Sequence, residues 1–134
     1  MLKVCHLTSV HNWNDTRIFY KECLSLSKAG ITVFLIVPLA GNFSNENIEI
    51  IPVSVPKNRL SRITITCLKI LLKAVGTKAE IYHLHDPELL WVGIVLKLSG
   101  KKVIFDVHEN IRSQIKMKKW LPLRRLISKL FFIF

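Results

Sequence analysis

Glycine is scarce in this sequence and never clustered. Its five glycines, Gly30, Gly41, Gly76, Gly93 and Gly100, stand singly along 134 residues. No G-x-G-x-x-G run and no Walker-type loop follows an apolar stretch. The chain therefore lacks the glycine backbone that cradles a dinucleotide or the phosphates of ATP. Cysteine is equally sparse. Cys5, Cys23 and Cys67 are odd in number and widely spaced, which excludes a disulfide framework or a zinc knuckle. They read as small buried hydrophobes in a reducing compartment. Long apolar runs are missing too: residues 31–40 and 89–96 fall well short of the roughly 20 residues of a membrane-spanning helix. The first ten residues alternate like a strand and carry no signal-peptide core. A cytoplasmic protein is expected. With 50% hydrophobic residues the chain can bury a core, and its length suits one domain, 1–134.

Acidic residues are the other shortage. Nine Asp and Glu face 20 Lys and Arg, for a formal net charge of +11. The carboxylates are confined to 15–49 and 80–109, whereas the basic residues dominate 57–78 and 112–134, where no acid occurs. Such segregation points to a polyanionic partner. A nucleic-acid reader would interleave aromatics with its charges for base stacking. Trp120 is the sole aromatic among the basic residues ahead of the hydrophobic end, so no nucleic acid is expected as a partner, and a basic nucleic-acid- or membrane-binding module without catalysis stands as an alternative function. An anionic membrane surface is the preferred partner for 57–78 and 112–134, against the plainer reading of a solvated charged face.

What is present is a regular alternation of elements. Lys3 to Ser9 reads as a buried strand, followed by a loop from Val10 to Asn14. A helix is expected from Thr16 to Ala29, with Asn14 or Asp15 as N-cap, Gly30 as its stop, and Phe19, Cys23 and Leu26 as its seam. Ile31 to Val37 is a β-branched run suited to a strand covered on both faces. Ile48 to Val53 is a third strand, of open direction, because a link of about ten residues is short for a parallel crossover. Asn58 to Val75 reads as a helix ended by Gly76, with Arg59, Arg62, Lys69 and Lys73 on one arc and Leu60, Ile63, Leu71 and Ala74 on others. A strand at Glu80 to His85, a helix from Pro87 to Leu98 stopped by Gly100, and a strand at Lys102 to Val107 follow. A basic helical stretch and a last amphipathic helix, Leu123 to Phe134, close the pattern. The implied fold is α/β: a Rossmann-like, doubly wound, mostly parallel sheet of about five strands with helices on both faces.

Two apolar runs end in ionisable clusters, His83-Leu84-His85-Asp86-Pro87-Glu88 and Asp106-Val107-His108-Glu109. In a doubly wound sheet the carboxyl ends of strands line the ligand crevice at the switch point. The loops 9–17, 85–88 and 108–110 should meet there. Asp15 is either an N-cap or a substrate contact. Arg17, in a first turn that prefers acids, points to an anionic ligand or a fixed salt bridge. Trp13 suits a hydrophobic staple or sugar stacking. His83, inside its strand, reads as a hydrogen-bonded core histidine, whereas His85, Asp86 and His108 stand at strand ends. The same clusters allow a metal-dependent hydrolase as an alternative, though a zinc enzyme needs three fixed ligands and an open position.

Three ordered motifs carry a resemblance over essentially the whole chain: His11 to Glu22, His83 to Leu90, and Ile104 to Glu109. They resemble the N-terminal domain of family 4 retaining glycosyltransferases of the GT-B fold, most closely the branch that builds bacterial surface polysaccharides. The resemblance implies an acceptor-side domain whose partner domain binds a nucleotide-sugar, with transfer in the cleft between them. His108 matches the histidine at the transfer site, where it would stabilise developing charge. Asp15 and Arg17 match the first-strand loop, and His85 and Asp86 the acceptor-facing loop. Glu88 and Glu109, in the same motifs, join the acceptor-binding set. Where many relatives carry a glycine pair, this sequence has His11 to Asp15. No cofactor or metal is implied, the nucleotide-sugar being a donor substrate. The donor domain is absent from the sequence, so activity is expected to need a donor-binding domain or subunit in trans. The implied acceptor is a saccharide, lipid-linked at the inner face of the plasma membrane.

Overall fold

The β-branched and apolar runs become the strands of one sheet, and its order places the ionisable strand ends. The computed structural model describes residues 1–39, 44–45 and 47–107. His108, Glu109 and the basic stretch 112–134 lie outside the described residues. Strands β1 (Lys3–Leu7), β2 (Thr32–Pro38), β3 (Ser44–Asn45), β4 (Ile48–Val53), β5 (Ile81–Leu84) and β6 (Lys102–Phe105) lie in the order β3-β4-β2-β1-β5-β6. Five are parallel, and only the two-residue β3 runs antiparallel, along the outer edge of β4. The fold is the Rossmann-like α/β arrangement that the pattern implied.

The direction left open for the third strand resolves as parallel: β4 pairs with β2 from Val33↔Ile48 to Pro38↔Val53. No helix is needed for this return. Nine extended residues span about 30 Å, enough to pass back along β4, and β3 uses the edge for it.

Helix α1 covers 16–28 and begins as a π-helix, Thr16–Cys23, before tightening to an α-helix at Leu24–Lys28. It packs Ile18, Phe19 and Cys23 on Val33, Leu35 and Val37 of β2 and on Ile48 and Ile50 of β4. Helix α2, 59–77, contains a π-helical segment at Arg62–Thr66. Helix α3, 87–98, opens with a 3-10 turn at Pro87–Leu89. Both lie on the other face. There Cys67, Ile70 and Ala74 of α2 and Leu89, Val92 and Leu96 of α3 meet Cys5, Leu7, Tyr82 and Leu84. Burying these apolar side chains stabilises the fold at about 25 cal/mol per Å². All three cysteines are buried and free, as their scattered spacing suggested.

One expectation for α2 needs correction. Gly76 does not end it; the helix runs to Thr77 and is capped by Lys78 in the left-handed region, φ 53°. Thr77 explains the two extra residues, because its hydroxyl donates to the Ala74 carbonyl and stays in the core. The buried seam of α2 is Thr66, Cys67, Ile70, Ala74 and Thr77, and Leu60 is 72% exposed. Gly30 and Gly100 do take positive φ beyond α1 and α3, as helix stops should.

Candidate functional site

In this strand order the reversal falls between β1 and β5, whose carboxyl ends release the loops after Leu7 and after Leu84. Those loops are tied together from within. The Asp86 carboxylate, buried at the start of α3, accepts from the Thr8 hydroxyl at 2.6 Å and from the Ser9 amide at 2.7 Å. Its other oxygen lies 3.3 Å from His11 Nε2, and His11 Nδ1 lies 3.2 Å from Asp15. His11 thus bridges the Asp86 carboxylate after β5 and the Asp15 carboxylate at the start of α1, at a part-exposed rim. Glu88 accepts from Ser9 Oγ at 3.0 Å and pairs with Arg62 of α2.

Asp15 is the N-cap of α1. Its Oδ1 accepts from the amides of Arg17 and Ile18, both at 3.0 Å. Burial pulls this carboxyl up, but those two hydrogen bonds and the charges of His11 and Arg17 outweigh it and hold its pKa low. Arg17 takes the fixed-salt-bridge option: it donates to Glu22 at 3.2 Å and to Asp106, just beyond β6. Trp13 takes the staple option, meeting Phe19 edge-on at 5.4 Å between centroids. The structure therefore brings Asp15, Arg17, Asp86, Glu88 and Asp106 together at the switch point. His108 and Glu109 lie outside the described residues.

His85 sits in a second layer. Its side chain is fully buried, with Nε2 3.0 Å from His6 Nδ1 and the rings stacked at 5.2 Å. His83, expected in the core, is part-exposed, and its Nδ1 lies 3.5 Å from Glu22. His6 and His83 are register partners on adjacent strands, so they share a face, and His85 follows two residues on. Burial, aided by neighbouring His83, lowers the pKa of His6 to about 3, which keeps this imidazole neutral. Burial raises that of Glu22 against the pull of Arg17. The α1 face of the sheet is thus aliphatic over β2 and β4 and imidazole-lined over β1 and β5.

His6 and Glu22 are the site residues that the sequence reading missed. An α-helical wheel sets Arg17 and Glu22 about 140° apart at 3.6 residues per turn. The wider π-helical turn brings residues five apart onto one side, and the two side chains meet. For His6 a signal existed: a histidine midway along an otherwise apolar strand, at the height of His83 once β1 and β5 are neighbours.

No protein-family model matches this chain, and no curated protein matches it. Function here rests on the residues themselves. No helix among the described residues is long and apolar enough to cross a membrane.

Proposed function

We propose that this chain is the acceptor-side half of a retaining, nucleotide-sugar-dependent glycosyltransferase that extends a saccharide, lipid-linked at the inner membrane face, for polysaccharide synthesis. The observation that supports this reading most is the linkage of the first-strand and fifth-strand loops at the switch point through Asp86, His11 and Asp15. That linkage fixes a rim of part-exposed polar groups without a glycine-rich phosphate loop. Such a rim suits hydroxyl-rich ligands, which are oriented by a few well-placed carboxylates and imidazoles. Donor phosphates would be held by a separate domain. His108, next along the chain from the Asp106 region, is the residue assigned to the transfer step, stabilising the departing charge. Asp15, Arg17, Asp86, Glu88 and Glu109 are assigned to the acceptor side. His85, buried behind them, acts as a positioning residue.

Docking on anionic lipid fits the outer face of α2. Ile65, Leu68, Leu72 and Val75 are all at least half exposed and fall within about an 80° arc at 100° per residue. Exposed Lys69 and Lys73 flank this stripe. An apolar strip beside a basic one is the pattern of an interfacial helix, at about 1 kcal/mol per well-placed Lys or Arg.

Two experiments test the proposal. A donor-binding domain supplied in trans should restore sugar transfer from a nucleotide-sugar to a lipid-linked acceptor, and His108→Ala should abolish it. An unchanged rate in that variant rejects the role of His108. Sedimentation with vesicles should require anionic lipid and weaken with salt. Binding indifferent to both would reject docking.

A further inference from the structure

The geometry points to a binding site for one divalent transition-metal ion of the zinc class, formed by His6 Nδ1, His83 Nδ1, His85 Nε2 and Glu22 Oε2. One ligand atom from each of these four side chains lies within 4.8 Å of the other three. The shorter separations are 3.0 Å between His6 and His85, and 3.6, 3.5 and 3.7 Å from Glu22 to His6, His83 and His85. A tetrahedral site with bonds of 2.0–2.1 Å has edges of about 3.3–3.4 Å. Four of the ligand edges therefore already lie within about 0.4 Å of that value, and a pair at the 4.8 Å limit must close by about 1.4 Å.

Three further features separate this cluster from a chance meeting of polar groups. First, Glu22 Oε2 is buried and accepts no hydrogen bond, although it is surrounded by three imidazoles. A buried polar atom of that kind calls for an explanation, and a shared cation supplies one. Secondly, the donors stand on rigid elements. His6 and His83 are in register on adjacent strands, and His85 continues the same face. Glu22 descends from the π-helical turn of α1. Thirdly, charged groups stand behind the ligand atoms. Arg17 holds the other oxygen of Glu22 and also Asp106, whose carboxylate lies 3.8 Å from His85 Nδ1. That is beyond hydrogen-bond reach, and a closure of about 0.8 Å would let this carboxylate fix the ring of a ligating histidine.

Three imidazoles and one carboxylate suit zinc over the hard cations, which prefer all-oxygen cages. With all four positions filled by the protein, the ion would be structural, pinning α1 to β1 and β5 beneath the first-strand loop. Part-exposed His83 and Glu22 provide the way in.

The test uses the untagged chain, stripped with chelator and reloaded. Zinc titrated against a chromophoric chelator should bind at one equivalent and raise the melting temperature. Co(II) in its place should give the intense visible bands of tetrahedral coordination. Glu22→Gln and His83→Gln alter part-exposed side chains, and circular dichroism would show that they fold. Each should weaken zinc binding at least about tenfold. The inference is overturned if the folded chain retains no zinc after desalting, or if Co(II) stays weakly coloured and octahedral. It is equally overturned if His11→Ala removes the ion while His83→Gln does not, since the ion would then sit at the rim. None of these readouts depends on sugar transfer, so the proposed activity and this site can fail separately.

Discussion

Asp86 is the residue whose loss should do most damage to the strand-end rim. Its Oδ2 receives the Thr8 hydroxyl and the Ser9 amide, and both donors are buried, at 0% and 1% exposure. Asp86→Ala leaves both without an acceptor where water cannot reach. Each stranded buried donor costs about 1–3 kcal/mol. Relief from burying the carboxylate itself returns part of that, so a net loss of about 3 kcal/mol is expected. Against a total stability of about 5–15 kcal/mol this is severe. At about 3 °C per kcal/mol for a domain of this size, melting should fall by about 10 °C. Asp86→Asn can set its amide oxygen where Oδ2 stands and accept from both donors, so it should lose clearly less, through weaker neutral hydrogen bonds and the lost carboxylate contact with His11. Urea denaturation monitored by tryptophan fluorescence and by far-ultraviolet dichroism measures both variants. Thr8→Val in the Asp86→Ala background should add far less than it does alone, because the pair shares one interaction. A loss below about 1 kcal/mol for Asp86→Ala, or full additivity with Thr8→Val, would refute the claim that this carboxylate holds the two loops together.

Other expectations follow from single features. Asp15→Ala removes an N-cap and should cost about 1 kcal/mol, with Asp15→Ser recovering most of it. Because the folded-state pKa of Asp15 is lowered, its contribution is present above the unfolded carboxylate pKa and fades as pH falls through the folded one. The gap between wild type and Asp15→Ala in urea melts should therefore narrow in acid. Gly76→Ala should stabilise by about 0.5–1 kcal/mol, since the position is helical and an added Cβ meets nothing within 4 Å. Lys78→Gly should gain a similar amount at its left-handed cap, read by the same melts. Tyr82→Phe should lose about 1 kcal/mol with the hydrogen bond from its hydroxyl to the Ala74 carbonyl.

Much of the fold could be read from the chain because it rests on local rules. Strand runs rich in β-branched residues, Asp15 as a cap and Gly30 and Gly100 as stops all act within a few residues. Non-local facts were harder. The direction of β4 depends on β3 using the sheet edge, which the composition of 39–47 does not announce. The end of α2 was misplaced because glycine is only a common stop, and the Thr77 hydroxyl bond competes with it. At the site, convergence of the 9–17 and 85–88 loops followed from topology alone. The contact of Glu22 with the imidazoles did not, because it required the π-helical turn that brings Glu22 over β1 and β5. Nor does position along a strand reveal that His85 turns inward while His83 stays part-exposed.

The central claim, that the switch-point rim receives a sugar acceptor, is tested most directly by amide chemical-shift mapping. A soluble saccharide-diphosphate analogue of a lipid-linked acceptor would be titrated into the isotope-labelled chain. The account predicts saturable shifts concentrated in Ser9 to Ile18, His85 to Glu88 and around Asp106, reduced in Asp15→Asn. Shifts confined to the outer face of α2, or none at millimolar ligand, would contradict it.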